Sequence, residues 1–200
     1  MVTGVQTCAL PILKSVKVGM FGSGGVGKTS ITLQFVKGEF TEGYIPTIED
    51  EFIKGIEYKG ETVQIEIIDT AGQDDFEAMR NRFMSAVDGF VYVYSILDPS
   101  SISALKDIHQ TVLLAKGTKT IPCVVAANKC DLRNADSIPE SEGEALGKEF
   151  GCSVYETSAK ENKNIQELYN NILELLLNKD EKKNDNKGDS EPGCKCKIGR

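Results

Sequence analysis

The chain has 200 residues, of which 40% are hydrophobic and 26% charged, and its formal net charge is −7. That composition is typical of a globular domain with one core of ordinary size. The acidic balance argues against nucleic acid as a partner over most of the surface, and no apolar run approaches the roughly 18 residues of a membrane-spanning helix.

The two ends of the chain are set aside from the fold prediction. Residues 2–12, VTGVQTCALPI, lack the basic and apolar regions of a signal peptide. They look like a sequencing-library adapter translated in frame, and the closing IGR at 198–200 resembles the other end of such an adapter; a natural extension is the alternative. We therefore expect a folded domain at residues 13–179, preceded by an artefact at 1–12 and followed by a charged, flexible tail at 180–200.

The first half of the domain is predicted to contain a strand, a helix and a hairpin. Lys14–Phe21 is a short apolar segment, and GSGGVGKTS leads from it into a helical run that ends at Gly38. Residues 40–50 contain Gly and Pro without periodicity, which predicts a loop. Residues 51–69 alternate apolar and polar side chains on both sides of Lys59-Gly60, which predicts a β-hairpin.

The second half alternates strand-like and helix-like segments. In chain order, strands are predicted at 89–96, 121–128 and 153–157, and helices at 100–116, 139–150 and 164–179. The first two of these strands are continuous apolar runs, as expected for strands that are covered on both faces. The alternation predicts an α/β fold with a mostly parallel sheet, helices on both faces and an antiparallel edge strand from the hairpin.

Three of the six cysteines bear on the core. Cys123, Cys130 and Cys152 lie in or beside apolar runs. We interpret them as reduced thiols in or near the core of a cytosolic protein, rather than as a disulfide framework. No cysteine and histidine cluster has the spacing of a zinc site.

Residues 22–29, GSGGVGKT, fit the phosphate-binding pattern G-x-x-x-x-G-K-[ST] between a strand and a helix. Glycines let the backbone curl so that successive N–H groups face one anion, and the following helix adds the positive end of its dipole. Lys28 would supply charge to the outer phosphates, and the Thr29 hydroxyl suits Mg²⁺. Gly24 and Gly25 leave space beside the terminal phosphate. A glycine-rich turn with a chance Lys-Thr is the alternative.

The motif NKCD at residues 128–131 indicates which base the bound nucleotide carries. It follows a predicted strand, so it lies at the carboxyl end of the sheet, where ligands bind in open α/β folds. The Asp131 carboxylate can accept the two adjacent donors of guanine, a pair that adenine lacks. Asn128 can bond the other purine edge and brace the loop, and the Lys129 stem can cover the ring. Alone, these four residues would be a common polar turn.

A last motif, ETSAK at 156–160, ends the final predicted strand, where the backbone of Ser158 and Ala159 could reach the base oxygen. Together with GSGGVGKT, YIPTIED, DTAGQ and NKCD, it resembles the Ras subfamily of small GTPases. The resemblance runs from about Ser15 to Lys179. It implies a P-loop NTPase G domain with a six-stranded, mostly parallel sheet, one antiparallel edge strand and five helices.

The resemblance also implies a set of ligand contacts for GTP or GDP with Mg²⁺. Mg²⁺ would be held by Thr29, Thr47 and Asp69, the last through water, while Phe40 would pack at the guanine edge. The implied nucleotide-binding residues are Gly24, Gly25, Val26, Gly27, Lys28, Thr29, Ser30, Phe40, Tyr44, Thr47, Gly72, Asn128, Lys129, Asp131, Ser158, Ala159 and Lys160.

The predicted catalytic group is Gln73, acting with Lys28, Thr47 and Gly72. The Gly72 N–H can approach the terminal phosphate without hindrance, and the Gln73 amide can orient an attacking water. Residues 40–47 contain no arginine, so hydrolysis should be slow until a partner supplies one. Loss of the third phosphate would release the loops that Thr47 and Gly72 hold, which makes the protein a switch.

The resemblance implies a GTPase-activating protein, a guanine-nucleotide exchange factor and Ras-type effectors as partners. Effectors would bind through residues 44–52, where Ile45 replaces a residue that is usually polar in the family. That replacement leaves partner preference open.

The tail of the chain resembles a lipidation region. Cys194 and Cys196 lie in a lysine-bearing segment, but Lys197 is fourth from the end, so no C-a-a-X box is present. If the closing residues are adapter, a prenylation box at Cys196 has been lost. We expect the native protein to be anchored at the cytoplasmic face of the plasma membrane through Cys196, with Cys194 as a second lipid site. Two exposed thiols on a soluble, cytosolic protein are the alternative.

Two other function classes fit part of the sequence. One is an interaction module that binds GTP without turnover, which the glycine, threonine and glutamine at 24, 47 and 73 oppose. The other is a P-loop kinase acting on a small metabolite, which NKCD and the missing lid-type arginines oppose. We therefore expect a GTP hydrolase.

Overall fold

A computed structural model of the chain describes residues 14–43, 47, 49–70 and 83–185. Its strands are β1 Lys14–Phe21, β2 Glu49–Tyr58, β3 Glu61–Thr70, β4 Gly89–Ser95, β5 Cys123–Asn128 and β6 Val154–Glu156. They form one sheet in the order β2-β3-β1-β4-β5-β6, in which β2 and β3 are antiparallel and all other neighbours are parallel. The predicted mostly parallel sheet with an antiparallel edge strand is confirmed.

The hairpin turns where the sequence predicts it. Lys59 and Gly60 join β2 to β3 with φ angles of 51° and 83°. Two successive positive φ angles are the signature of the two-residue turn whose twist matches that of the flanking strands. β2 begins at Glu49, so the edge strand takes in the last two residues of the predicted loop.

Four helices accompany the sheet within the described residues: α1 Lys28–Lys37, α2 Ser100–Lys116, α3 Glu140–Phe150 and α4 Ile165–Asp185. The first three each end on a left-handed glycine, whose N–H caps the last turn: Gly38, Gly117 and Gly151. α4 extends beyond residue 179, where the domain was predicted to end. A helical turn covers 83–86, and the fifth helix stays a prediction because residues 71–82 lie outside the described part. None of the described helices combines the length and apolarity needed to cross a bilayer.

The core has two layers because β4 and its neighbours are covered on both faces. Val91 and Val93 point into a cluster with α1 and α4, whereas Phe90, Tyr92 and Tyr94 point into a second cluster with α2 and α3. Successive side chains of a strand face opposite sides of the sheet, so a strand buried on both sides must be apolar at every position. This explains the continuous apolar runs in the sequence.

The cysteines match their predicted state. Cys123, Cys130 and Cys152 are free thiols. Cys123 is buried at the start of β5, and the other two are half-buried and pack against the second cluster.

The parallel strands bring the sequence motifs to one end of the molecule. The loops that follow β1, β5 and β6 carry GSGGVGKT, NKCD and ETSAK, and β3 ends with Asp69 and Thr70. Carboxyl ends of parallel strands meet at the same edge of a sheet, and ligands bind in the crevice there. The topology therefore assembles one site from segments that are far apart in the chain.

Candidate nucleotide-binding site

The phosphate loop, residues 22–27, is confined by its neighbours. Gly22 has a φ of 152°, and a Cβ there would lie 2.2 Å from the main-chain oxygen of Val93 on β4. Gly27 has a φ of 100°, and a Cβ there would lie 2.3 Å from Nδ2 of Asn128. No side chain fits at either position, so these two glycines are required by both backbone angle and space.

Lys28 is held inside the loop that it follows. Its side chain is buried, and Nζ donates to the main-chain oxygens of Gly22 and Ser23, each at 3.0 Å. A buried ammonium is stable only when its N–H groups are hydrogen-bonded. The two carbonyls accept such bonds on one side of the Lys28 ammonium. The arrangement presents a positive charge to an anion enclosed by the loop.

Three oxygen-bearing side chains converge beside that loop. Thr29 Oγ1 donates to Asp69 Oδ2 at 2.5 Å and lies 2.8 Å from Thr47 Oγ1. The Thr29 hydroxyl has one proton, which it donates to Asp69, so in its contact with Thr47 it accepts a hydrogen bond from the Thr47 hydroxyl. These groups come from α1, from the described residue 47 between α1 and β2, and from the end of β3.

Asp69 is a carboxylate in an unusual setting. Its side chain is fully buried, and Oδ1 has no hydrogen-bond partner within the described residues. Burial raises the pKa of Asp69 to about 6, against the opposing effects of the Thr29 hydroxyl and the Lys28 ammonium. A buried, half-satisfied carboxylate next to two hydroxyls is a donor set that a hard cation such as Mg²⁺ fits.

Asn128 and Lys129 tie the base loop to the phosphate loop. Asn128 Nδ2 donates to the main-chain oxygen of Val26 at 2.8 Å, and Lys129 Nζ donates to that of Gly25 at 2.8 Å. Thr157 Oγ1 donates to Asn128 Oδ1 at 3.3 Å. The buried Asn128 carboxamide therefore braces three segments, as the sequence suggested for one of its roles. Contact with a purine edge stays a prediction.

The ETSAK loop is folded back on itself. Ser158 is buried, its Oγ accepts from the Glu161 N–H at 3.0 Å, and its main chain forms a bridge with Lys163. Ala159 and Lys160 face a cavity. Ser158 therefore supports this loop with its side chain and also with its main chain, whose N–H and C=O both bond Lys163. Its predicted role at the base stays a prediction.

These segments enclose a cavity of about 430 Å³. Among the predicted nucleotide residues, its lining includes Gly24, Gly25, Gly27, Lys28, Thr29, Ser30, Phe40, Thr47, Asn128, Lys129, Asp131, Ala159 and Lys160. Val26 and Ser158 are buried behind the wall, and Asp69 lies behind Thr29. Tyr44, Gly72 and Gln73 lie outside the described residues, as do Cys194 and Cys196.

The lining also contains residues that the sequence did not single out: Leu33, Thr41, Glu42, Gly43, Thr70 and Leu132. Leu132 directly follows NKCD and exposes half of its surface, and Thr70 directly follows Asp69. Adjacency to a motif was a usable signal for these two. The 41–43 segment lies between Phe40 and Tyr44, both in the predicted nucleotide-binding set, so its position in the chain was a usable signal as well.

Comparison with known proteins gives a consistent result. A family model described as Ras family matches residues 17–178, from β1 into α4. The chain is 36% identical over 179 residues to Ras-like protein 2 of Mucor circinelloides f. lusitanicus, with 90% of each chain covered. It is 39% identical over 170 residues to GTP-binding protein rhb1 of Schizosaccharomyces pombe, covering 85% of this chain and 90% of that relative. The chain therefore belongs to the Ras family, whose members are GTPases.

Proposed function

We propose that this protein is a GTP/GDP-cycling switch that binds guanine nucleotide with Mg²⁺ and hydrolyses GTP to GDP and phosphate. Membership of the Ras family supports GTP binding and hydrolysis. The observation that carries the assignment to this site is the convergence of a phosphate loop, an oxygen cluster and a base loop on one cavity.

The phosphate end of the nucleotide is held by the loop after β1. Main-chain N–H groups of residues 24–28 and the first turn of α1 would bind the anion, and Lys28 would add a full positive charge. Thr29, Thr47 and Asp69 would hold Mg²⁺, which supplies charge neutralisation between the outer phosphates when bound. The unpartnered Asp69 oxygen supports this placement.

Base selection belongs to the other end of the cavity. Asp131 lines that end and can accept both guanine donors, while Asn128 and Lys129 hold its loop rigidly on the phosphate loop. A site built to pair with two donors rejects a base that lacks them by roughly 10⁴-fold, because its own buried polar groups would stay unpaired.

Hydrolysis is assigned to residues next to the terminal phosphate. Gln73 and Gly72 keep their predicted roles, the first orienting the attacking water and the second donating its N–H to the phosphate. Residues 40–47 bring no arginine, so turnover is slow until a GTPase-activating protein supplies one. Regulators and effectors of this general kind follow from Ras-family membership.

The effector surface and the membrane anchor are further parts of this proposal. Residues 44–52, whose last four residues belong to edge strand β2, are the effector-binding segment. Cys196, with Cys194 beside it, is the lipid site that places the native protein at the cytoplasmic face of the plasma membrane. Sequencing the transcript across both ends tests the anchor: a natural end without a C-a-a-X box starting at Cys196 would remove it.

Nucleotide content and single-turnover hydrolysis test the central proposal. Purified protein should carry GDP or GTP, should prefer GTP over ATP in competition, and should hydrolyse bound GTP faster with a Ras-type activating protein. Asp131→Asn should weaken the preference for guanine, whereas Asp136→Asn, an exposed acid outside the cavity, should leave it unchanged. Equal affinity for ATP and GTP in the unaltered protein would contradict the base assignment.

A further inference from the structure

Residues 39–43, which follow α1, form a wall of the cavity without being part of the core. Phe40, Thr41, Glu42 and Gly43 line the cavity, yet every residue of this segment is exposed, including Phe40 at 38%. A segment with so little burial has low local stability, and few contacts decide where it lies. Among the described residues, two side-chain contacts attach it, and both end on the ETSAK loop.

The first contact comes from Gln34 in the last turn of α1. The main-chain oxygens of Glu39 and Ala159 face the same end of its carboxamide, which is therefore the nitrogen. Nε2 donates to Glu39 O at 3.2 Å and to Ala159 O at 3.3 Å. One side chain thus bonds the start of the 39–43 segment, just before Phe40 in the chain, to the ETSAK loop.

The second contact comes after Phe40 in the chain, at Glu42. Lys160 Nζ donates to Glu42 Oε1 at 3.2 Å, and the two side chains are 53% and 79% exposed. An exposed ion pair is weak and is screened by salt. Here it acts on an exposed segment that has one other side-chain contact to the described part of the chain, so a small free energy suffices to change its position.

We propose that Gln34 and Glu42 form a clasp that holds residues 39–43 against the ETSAK loop and sets the rate at which guanine nucleotide leaves. This inference rests on the function proposed above. Both are positioning residues: they fix the wall that carries Phe40, and neither belongs to the predicted nucleotide-binding set.

The clasp acts on one end of the cavity only. Its bonds involve segment 39–43 and residues 159 and 160, whereas Lys28, Thr29 and Asp69 are held by other partners at the phosphate end. Opening it frees the base before the phosphates, which speeds release. The hydrolysis step on nucleotide that is still bound should not change.

The test is the release of a fluorescent GDP analogue chased with excess GDP. Gln34→Leu, which removes two hydrogen bonds, should speed release on the order of tenfold. Glu42→Gln should speed it about two- to fivefold at 0.1 M salt, and this difference should vanish near 1 M salt, while that of Gln34→Leu persists. Single-turnover GTP hydrolysis should equal that of the unaltered protein in both variants.

Two controls keep the test specific. Glu161→Gln removes a neighbouring exposed acid outside the clasp and should not change release. Glu42→Lys, which sets two ammonium groups against each other, should release GDP faster than the unaltered protein.

The outcomes separate the clasp from the proposed function. If the unaltered protein retains no guanine nucleotide, the proposed function fails and the clasp with it. If it retains GDP and both Gln34→Leu and Glu42→Gln release it at the unaltered rate, the clasp alone is wrong. A salt-independent effect of Glu42→Gln would also overturn the ion-pair part of the clasp.

Discussion

The two ends of the cavity are built in different ways. At the phosphate end, Gly22 and Gly27 leave no room for a side chain, and Lys28 and Asp69 are buried on fixed partners. At the wall formed by residues 39–43, every residue is exposed, and two side-chain contacts to other described residues fix the segment. One end is determined by packing, and the other by a few weak bonds.

This difference matches the two tasks that a switch must perform. Transition-state stabilisation needs donors and charges that do not move during the reaction, and packing provides that rigidity. Exchange of nucleotide needs a part that opens, which must come from the least stable region of the structure. Substitutions at the phosphate end should therefore change affinity strongly, and substitutions at the wall should change rates modestly.

Gly27→Ala should give the largest effect, because it breaks the phosphate end where it meets the base loop. The added Cβ would lie 2.3 Å from Asn128 Nδ2, the nitrogen that bonds Val26 O. A shift of about 1 Å in a positioning group costs on the order of 100-fold, so GDP affinity should fall by about that factor. Equilibrium binding of a fluorescent GDP analogue measures the loss.

Gly117→Ala is the matched control for backbone strain. Gly117 follows α2 with a φ of 60°, and an added Cβ meets no atom within 4 Å. It should lower the free energy of unfolding by about 1–2 kcal/mol and leave GDP affinity unchanged. Equal affinity losses in the two variants would mean that strain, and not the contact with Asn128, governs the loop.

Removal of the metal should have the next largest effect. Chelation of Mg²⁺ should speed GDP release from the unaltered protein on the order of tenfold or more, and Asp69→Asn should abolish this response because a metal-holding carboxylate is lost. Asp50→Asn is the control, since Asp50 lies opposite Asp69 in the β2–β3 register but is exposed. An undiminished chelator response in Asp69→Asn would remove Asp69 from the metal site.

Thr157→Val should weaken the connection between the base loop and the ETSAK loop. The change is nearly isosteric and leaves the buried Asn128 Oδ1 without the Thr157 hydroxyl, which costs about 1 kcal/mol. We expect GDP affinity to fall about fivefold, as measured by calorimetry. Thr111→Val, which removes a hydroxyl bonded within α2, should leave GDP affinity unchanged. A fall in GDP affinity in Thr111→Val as well would indicate general destabilisation.

The smallest of these effects should come from pH acting on His109, which changes folding stability and leaves the nucleotide site as it is. His109 is buried beside Phe150 and Tyr92, with Nδ1 3.2 Å from the tyrosine oxygen, and burial lowers its pKa despite the opposing charge of Glu149. The unfolded chain then binds more protons below about pH 6.5, so folding stability falls as pH falls from there towards the lowered pKa.

His109→Gln isolates this contribution. Asp69, with a pKa of about 6, titrates with the opposite sign in the same window, so the informative quantity is the difference between the two proteins. Denaturant unfolding from pH 7.5 to 5.5 should show the histidine-dependent loss only in the unaltered protein, while GDP release stays the same in both. If His109→Gln loses stability between pH 7.5 and 5.5 as steeply as the unaltered protein, His109 is not the source of the loss.

The fold follows closely from the sequence because its signals are local. Alternation on both sides of Lys59-Gly60 predicted the hairpin, and glycines marked the ends of α1, α2 and α3. The boundaries differ by a few residues where pairing extends a strand, as at Glu49, or where a helix continues past residue 179.

Residue type and spacing in the sequence alone predicted the phosphate loop and the base loop, since backbone curvature and charge are properties of the residues themselves, and the resemblance to the Ras subfamily added Thr47 and Asp69 to Thr29 as expected Mg²⁺ ligands. Only the tertiary structure decided that Asn128 and Lys129 bond the phosphate loop, that Thr157 braces Asn128, and that Gln34 and Glu42 meet the ETSAK loop. Those contacts join segments about 100 residues apart or are made by ordinary polar residues without a motif. Their positions are set by how the parallel strands stack side by side, which no local pattern encodes.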